Sequence, residues 1–85
     1  MTDLERAQAA HQSVTEKVNS VTDWTPSPSL LEGPPVSIDN GEVTFCWVWE
    51  NGNEYKYAAF KLHINALDDP INWIELAAER LLKQL

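Results

Sequence analysis

The stretch VSIDNGEVTFCWVWENGNEYKY, residues 36–57, contains two Asn-Gly dipeptides, at 40–41 and 51–52. Each sits between runs in which apolar and polar residues alternate. Asn and Gly tolerate the positive φ that a type I′ turn requires, and the twist of that turn matches the twist of the strands it joins. The spacing therefore predicts a three-stranded antiparallel β-meander over residues 36–64, with strands at 36–39, 42–50 and 53–64.

A two-residue turn at Asn40-Gly41 sets Ile38 opposite Val43 and Val36 opposite Phe45. Alternation carries Trp47 and Trp49 onto the same apolar face. At the second hairpin, a two-residue Asn51-Gly52 turn pairs Trp49 with Glu54, Trp47 with Lys56 and Phe45 with Ala58. A turn one residue longer, with Gly52 as a bulge, pairs Trp47 with Tyr55 instead and needs a second bulge near Ala58-Ala59. The simpler register is the expectation. It leaves Thr44, Cys46, Val48, Tyr55, Tyr57 and Ala59 on the opposite face, which is therefore only half polar. Phe45 and Trp47 are expected in the core. Trp49, near the hairpin tip beside acidic and amide residues, is open to either role.

Helices flank the meander. Thr2 followed by Glu5 is a capping-box pattern that starts a helix over 2–22. Its stripe of Leu4, Ala7, His11, Val14, Val18 and Val21 is narrow and suits one seam, either with the chain's own sheet or with a second copy of the chain. Residues 24–35 (WTPSPSLLEGPP) hold four prolines and predict an extended connector that Leu30 and Leu31 pin to the core. A second helix spans 69–85: Asp69 caps it, Pro70 fits its first turn, and Asp68 and Asp69 complement the positive end of its dipole. Ile71, Ile74, Ala78, Leu81 and Leu85, widened by Leu82, form an apolar face that needs cover from the sheet. The predicted fold is α+β, helix–three strands–helix, in one domain over 1–85, with the C-terminal helix packed on one sheet face.

Composition narrows the chemistry. With 44% hydrophobic and 22% charged residues, the chain is that of a folded globule. The N-terminal segment carries acids and lacks the apolar core of a secretory signal, and Cys46 is alone, so a reducing, cytoplasmic setting is expected. Thirteen acids against six bases give a net charge of −7. That lacks the basic footprint that nucleic-acid backbones need and disfavours anionic membranes. A protein partner with a basic surface is favoured instead. Three glycines, at 33, 41 and 52, make no phosphate loop. His11, Cys46 and His63 lack metal-ligand spacing, and Cys46 reads as a small buried hydrophobe. No catalytic residue, metal site or cofactor is expected.

Binding remains. The candidate surface joins the second hairpin tip and the second sheet face, Trp49, Glu50, Asn51, Asn53, Glu54, Tyr55 and Tyr57, with Asp39, Glu42, Asp68 and Asp69 as further carboxylates. Aromatic anchors ringed by polar groups are what interface centres use. The element order resembles the double-stranded-RNA-binding domain. That family places lysines at the start of its last helix, where this chain has LDDPIN, residues 67–72, so RNA binding is not implied. In size, acidity and element order the chain also resembles small phage-encoded inhibitors, anti-CRISPR proteins among them. That resemblance implies a non-catalytic inhibitor or adaptor that presents carboxylates where a basic partner expects phosphates. Lys56 and Lys61 interrupt the acidic surface. Self-association through the N-terminal stripe or the aromatic face is the alternative, and a small enzyme is a third reading.

Overall fold

The computed structural model describes all residues, Met1–Leu85. Helix α1 is Asp3–Val21, and strands β1 to β4 are Thr25–Pro26, Val36–Asp39, Glu42–Asn51 and Glu54–His63. Helix α2 is Pro70–Gln84. Short 3₁₀ turns at Pro28–Leu30 and Ile64–Asp68 complete the chain. The class is α+β, as read from the sequence, with one more strand than expected. No helix is long and apolar enough to cross a membrane.

Both helix starts follow the sequence signals. The Glu5 amide donates to Thr2 Oγ1, and the Thr2 amide to a Glu5 carboxylate oxygen, each at 3.1 Å. Asp69 accepts from the Asn72 amide at 3.4 Å, with Pro70 in the first turn. The first hairpin also matches the expected register: Ile38 faces Val43 and Val36 faces Phe45. Asn40 (φ 51°) and Gly41 (φ 76°) supply the two left-handed residues of its turn.

The second hairpin corrects the expected register. Asn51 pairs with Glu54, so the turn residues are Gly52 and Asn53, with Gly52 (φ 60°) alone left-handed. A single glycine at the first central position is the type II′ pattern. The partner strand shifts by two residues: Trp47 faces Ala58 rather than Lys56, and Phe45 faces Phe60 rather than Ala58. An even shift keeps every side chain on its predicted face. Packing explains the choice, because the largest core ring now lies opposite a methyl. Lys56, moved towards the hairpin tip, donates to the Gln84 carbonyl at the end of α2 (3.1 Å), where a cation complements the helix dipole.

The connector also departs from expectation. Thr25 and Pro26 pair with Glu50 and Trp49, and the Ser27 amide donates to the Val48 carbonyl at 2.8 Å. The chain then loops out through Pro28–Leu30 and returns at Pro35, whose carbonyl accepts from the Cys46 amide at 2.8 Å. β1 and β2 are thus two pieces of one interrupted edge strand along β3, and β4 lines the other side of β3. An edge tolerates proline because one side of the strand needs no ladder bond. Neither Leu30 nor Leu31 reaches the buried core, so they do not pin the connector as expected.

Both helices cover the same sheet face, α1 lying beside α2. The α1 seam is therefore occupied by the chain's own fold. It uses Ala7, Ala10, Val14 and Val18, while Leu4 and Val21 at the helix ends stay exposed. On α2 the buried residues are Ala77, Ala78 and Leu81, with Trp73, Ile74 and Leu85 partly buried; Ile71 and Leu82 are exposed. The rings form one layer between sheet and helices. His11 stacks on Trp47 (4.6 Å between centroids), Trp73 meets Phe45 (4.6 Å), and Phe60 stands edge-on to Trp47 (5.5 Å). Trp24, Trp47 and Trp49 are buried and Trp73 is packed against them, so the tryptophans build the core.

Candidate protein-interaction face

No helix or strand covers the sheet face opposite the helices, and the out-looped connector borders it on one side. Its side chains follow from strand parity, since β3 presents its even residues there and β4 its odd ones. Rung by rung, Glu42 faces His63, Thr44 faces Lys61, Cys46 faces Ala59, Val48 faces Tyr57 and Glu50 faces Tyr55. The centre of this face is apolar and its two ends are charged. Tyr55 is 58% exposed and Tyr57 65% exposed, although each carries a large ring.

Beside Tyr57 the out-looped connector forms the second wall of a shallow trough of about 470 Å³. Leu30, Leu31 and Pro34 line the wall, and Cys46 and Val48 form the floor. The Tyr57 hydroxyl donates to Cys46 Sγ at 3.5 Å. That bond, with the electrostatic effect of the Cys46 sulfur, holds the tyrosine hydroxyl above its ordinary range. The thiol thus anchors the ring beside the trough. Sequence reasoning placed Cys46 and Val48 on this face but left them out of the contact set. Leu30 and Leu31, expected from the sequence to pin the connector to the core, instead line the trough wall.

A second, smaller cleft of about 220 Å³ opens between α1 and the connector. His11 lies in it, with Nε2 donating to the Cys46 carbonyl at 2.8 Å, and burial holds the imidazole below its ordinary range against the opposing pull of that bond. Trp47 Nε1 donates to Thr15 Oγ1 at 2.9 Å, and Thr15 Oγ1 donates to the His11 carbonyl at 2.7 Å. These bonds tie α1 to the centre of β3. His11 meets the backbone carbonyl of Cys46, while His63 pairs with Glu42, about 13 Å along the ribbon from the Cys46 rung. No group of three or more His, Cys, Asp or Glu residues is placed to hold a metal ion.

The expected contact residues divide. Tyr55 and Tyr57 lie together on the open face, with Glu50, Asn51, Asn53 and Glu54 at the nearby hairpin tip. Trp49 leaves the set, being 0% exposed, because it points to the helix face and packs in the core. Asp39 and Glu42 sit at the opposite end of the ribbon, roughly 30 Å from the tip by strand rise. Asp68 pairs with Arg6 of α1 at 3.0 Å, and Asp69 caps α2. Glu50 accepts from Ser27 Oγ at 2.7 Å, and Glu42 lies 4.0 Å from Lys61. The carboxylates therefore bracket the apolar centre instead of forming one patch. Neither the scan of known protein families nor the searches of curated proteins and of solved structures finds a match to this chain.

Proposed function

We propose that the chain is a non-catalytic protein-binding module that docks its open sheet face on a partner protein, as an inhibitor or adaptor. The supporting observation is the pair of large, more than half-exposed rings, Tyr55 and Tyr57, on a face that neither helix covers and that the connector only borders. Tyrosine at the centre of such a surface brings wide apolar area and a polar tip. Glu50 and Glu54 at one end and Asp39 and Glu42 at the other favour a partner with an apolar centre and cations around it. A nucleic-acid-binding surface has such cations, which fits the resemblance to phage-encoded inhibitors.

Affinity capture tests this reading with the wild type, Tyr57→Asp and Glu50→Lys/Glu54→Lys. The wild type should retain a partner whose yield falls with added salt. Tyr57→Asp should lose it, and the charge-reversed tip should hold it weakly. Equal recovery on all three proteins would end the proposal.

A further inference from the structure

The opposite edge of the molecule offers a different surface. Strand β4 pairs only with β3. The Cys46 amide and the Val48 carbonyl point towards the β1–β2 side, where they bond to Pro35 and Ser27. Ladder alternation therefore turns Trp47 and Trp49 towards Ala58 and Lys56 of β4. The backbone N–H and C=O groups of Tyr55, Tyr57, Ala59 and Lys61 then point outward, and no strand of the chain lies beyond them. A ten-residue edge of this kind is a template for another strand.

Alongside that edge, a groove of about 460 Å³ runs between β4 and α2. Phe60, Leu62 and Trp73 line it, each half-buried, and Leu76 stands more than half exposed at its rim. Arg80 and Lys83 stand along it with a single carboxylate, Glu79, while Lys61 lines it from β4 with its side chain turned to the open face. A chain of net charge −7 thus places two of its six Lys and Arg residues on the α2 wall of one groove. Lys61 and Lys83 have exposed carboxylate neighbours at 4.0 and 3.4 Å, which are weak partners in water. Arg80 forms no ion pair and lies over the Phe60 ring, 5.8 Å from its centroid.

We propose that the β4 edge and this groove bind an extended acidic segment of a partner protein by strand addition. The segment's backbone pairs with Tyr57, Ala59 and Lys61. One apolar side chain enters between Phe60 and Trp73, and flanking carboxylates face Arg80 and Lys83. A second copy of the chain is a poorer occupant, because its own surplus of acids repels and it would bring like cations to the same edge. An acidic segment seated here meets the local cations within a screening length of about 8 Å. The site uses the backbone of Tyr57 and not its ring, so it is independent of docking on the open face.

The probe is a fluorescein-labelled peptide of about eight residues, Val and Phe alternating with Glu and Asp, a length that suits one strand. A control peptide carries Lys at every acidic position. Fluorescence anisotropy should show binding of the acidic peptide and not of the control. Ala59→Pro removes an outward donor without breaking a ladder bond, and Arg80→Glu/Lys83→Glu reverses the rim; each should weaken binding at least about tenfold. In the wild type, hydrogen exchange at the Tyr57, Ala59 and Lys61 amides should slow when the peptide is added. Absence of binding, equal binding of both peptides, or slow exchange at this edge that rises with protein concentration alone would overturn the proposal.

Discussion

His11 Nε2 lies 2.8 Å from the Cys46 carbonyl oxygen, at the rung of the sheet where the opposing residue is Pro35. A regular antiparallel rung exchanges two bonds. Here Cys46 donates to the Pro35 carbonyl, but proline has no N–H to return. The imidazole of α1 supplies the missing donor and stacks on Trp47 as it does so. A helix side chain thus completes a sheet ladder interrupted by the connector.

This substitution of donors is measurable. His11→Ala should destabilise the protein by about 2–4 kcal/mol, combining an unpaired carbonyl with a lost ring contact. Pro35→Ala restores a backbone donor at the same rung. The double variant His11→Ala/Pro35→Ala should therefore lose less than the sum of the single changes. Urea denaturation of the four proteins gives the coupling directly, and strict additivity would show that the two donors do not substitute for one another.

The same histidine gives a pH dependence. Burial holds its folded-state pKa below the ordinary 6.5, so the unfolded chain takes up a proton more readily than the folded one. This contribution to stability is fully present above 6.5 and is lost as pH falls from there through the lowered folded value. Urea midpoints should drop on acidification through that window. His11→Gln, which keeps a donor but does not titrate, should remove this part of the slope. An unchanged slope in the variant would assign the dependence to other groups.

The two central tryptophans should differ. Trp47 Nε1 donates to Thr15, whereas Trp49 Nε1 is buried without a hydrogen-bond partner. Each loses ring volume on change to phenylalanine, but only Trp47→Phe breaks a bond. Trp49→Phe should therefore be milder by about 1 kcal/mol, since it also removes an unsatisfied donor. Thermal or urea unfolding of the two variants decides the order.

The two hairpin glycines should differ too. Both have positive φ, so alanine strains either turn by about 1–3 kcal/mol. A methyl at Gly52 meets open space, but one at Gly41 would lie 3.2 Å from His63 Nε2. Gly41→Ala should therefore add a contact with His63 to its backbone strain, whereas Gly52→Ala meets backbone strain alone. His63→Ala in the Gly41→Ala background separates the clash from the backbone strain, because relief by that second change identifies the clash.

The parts legible in the sequence were those set by local chemistry. Asn40-Gly41 fixed one turn and its register, Thr2/Glu5 and Asp69-Pro70 marked the helix starts, and strand parity put Tyr55 and Tyr57 on the open face. The misread parts depend on contacts distant in sequence. Asn51-Gly52 is the same dipeptide as Asn40-Gly41, yet the ladder runs through Asn51. Trp47 against Ala58 and Lys56 against the end of α2 accompany that choice. β1 was hidden because prolines argue against a strand, and only its place on an edge admits them. Ala10 escaped notice because alanine carries little pattern signal, although it is buried in the α1 seam. Trp49 was undecidable from its polar neighbours in sequence. Its exposure is set by both helices packing over its face.

Hydroxyl-radical footprinting of the free protein and of a captured complex probes the open face as a contact surface residue by residue. In the free protein Tyr55 and Tyr57 should be oxidised readily, while Trp47 and Trp49 stay inert. In the complex the two tyrosines should become protected, with no change at the tryptophans. Tyrosines that remain equally reactive once the partner is bound would contradict docking through this face.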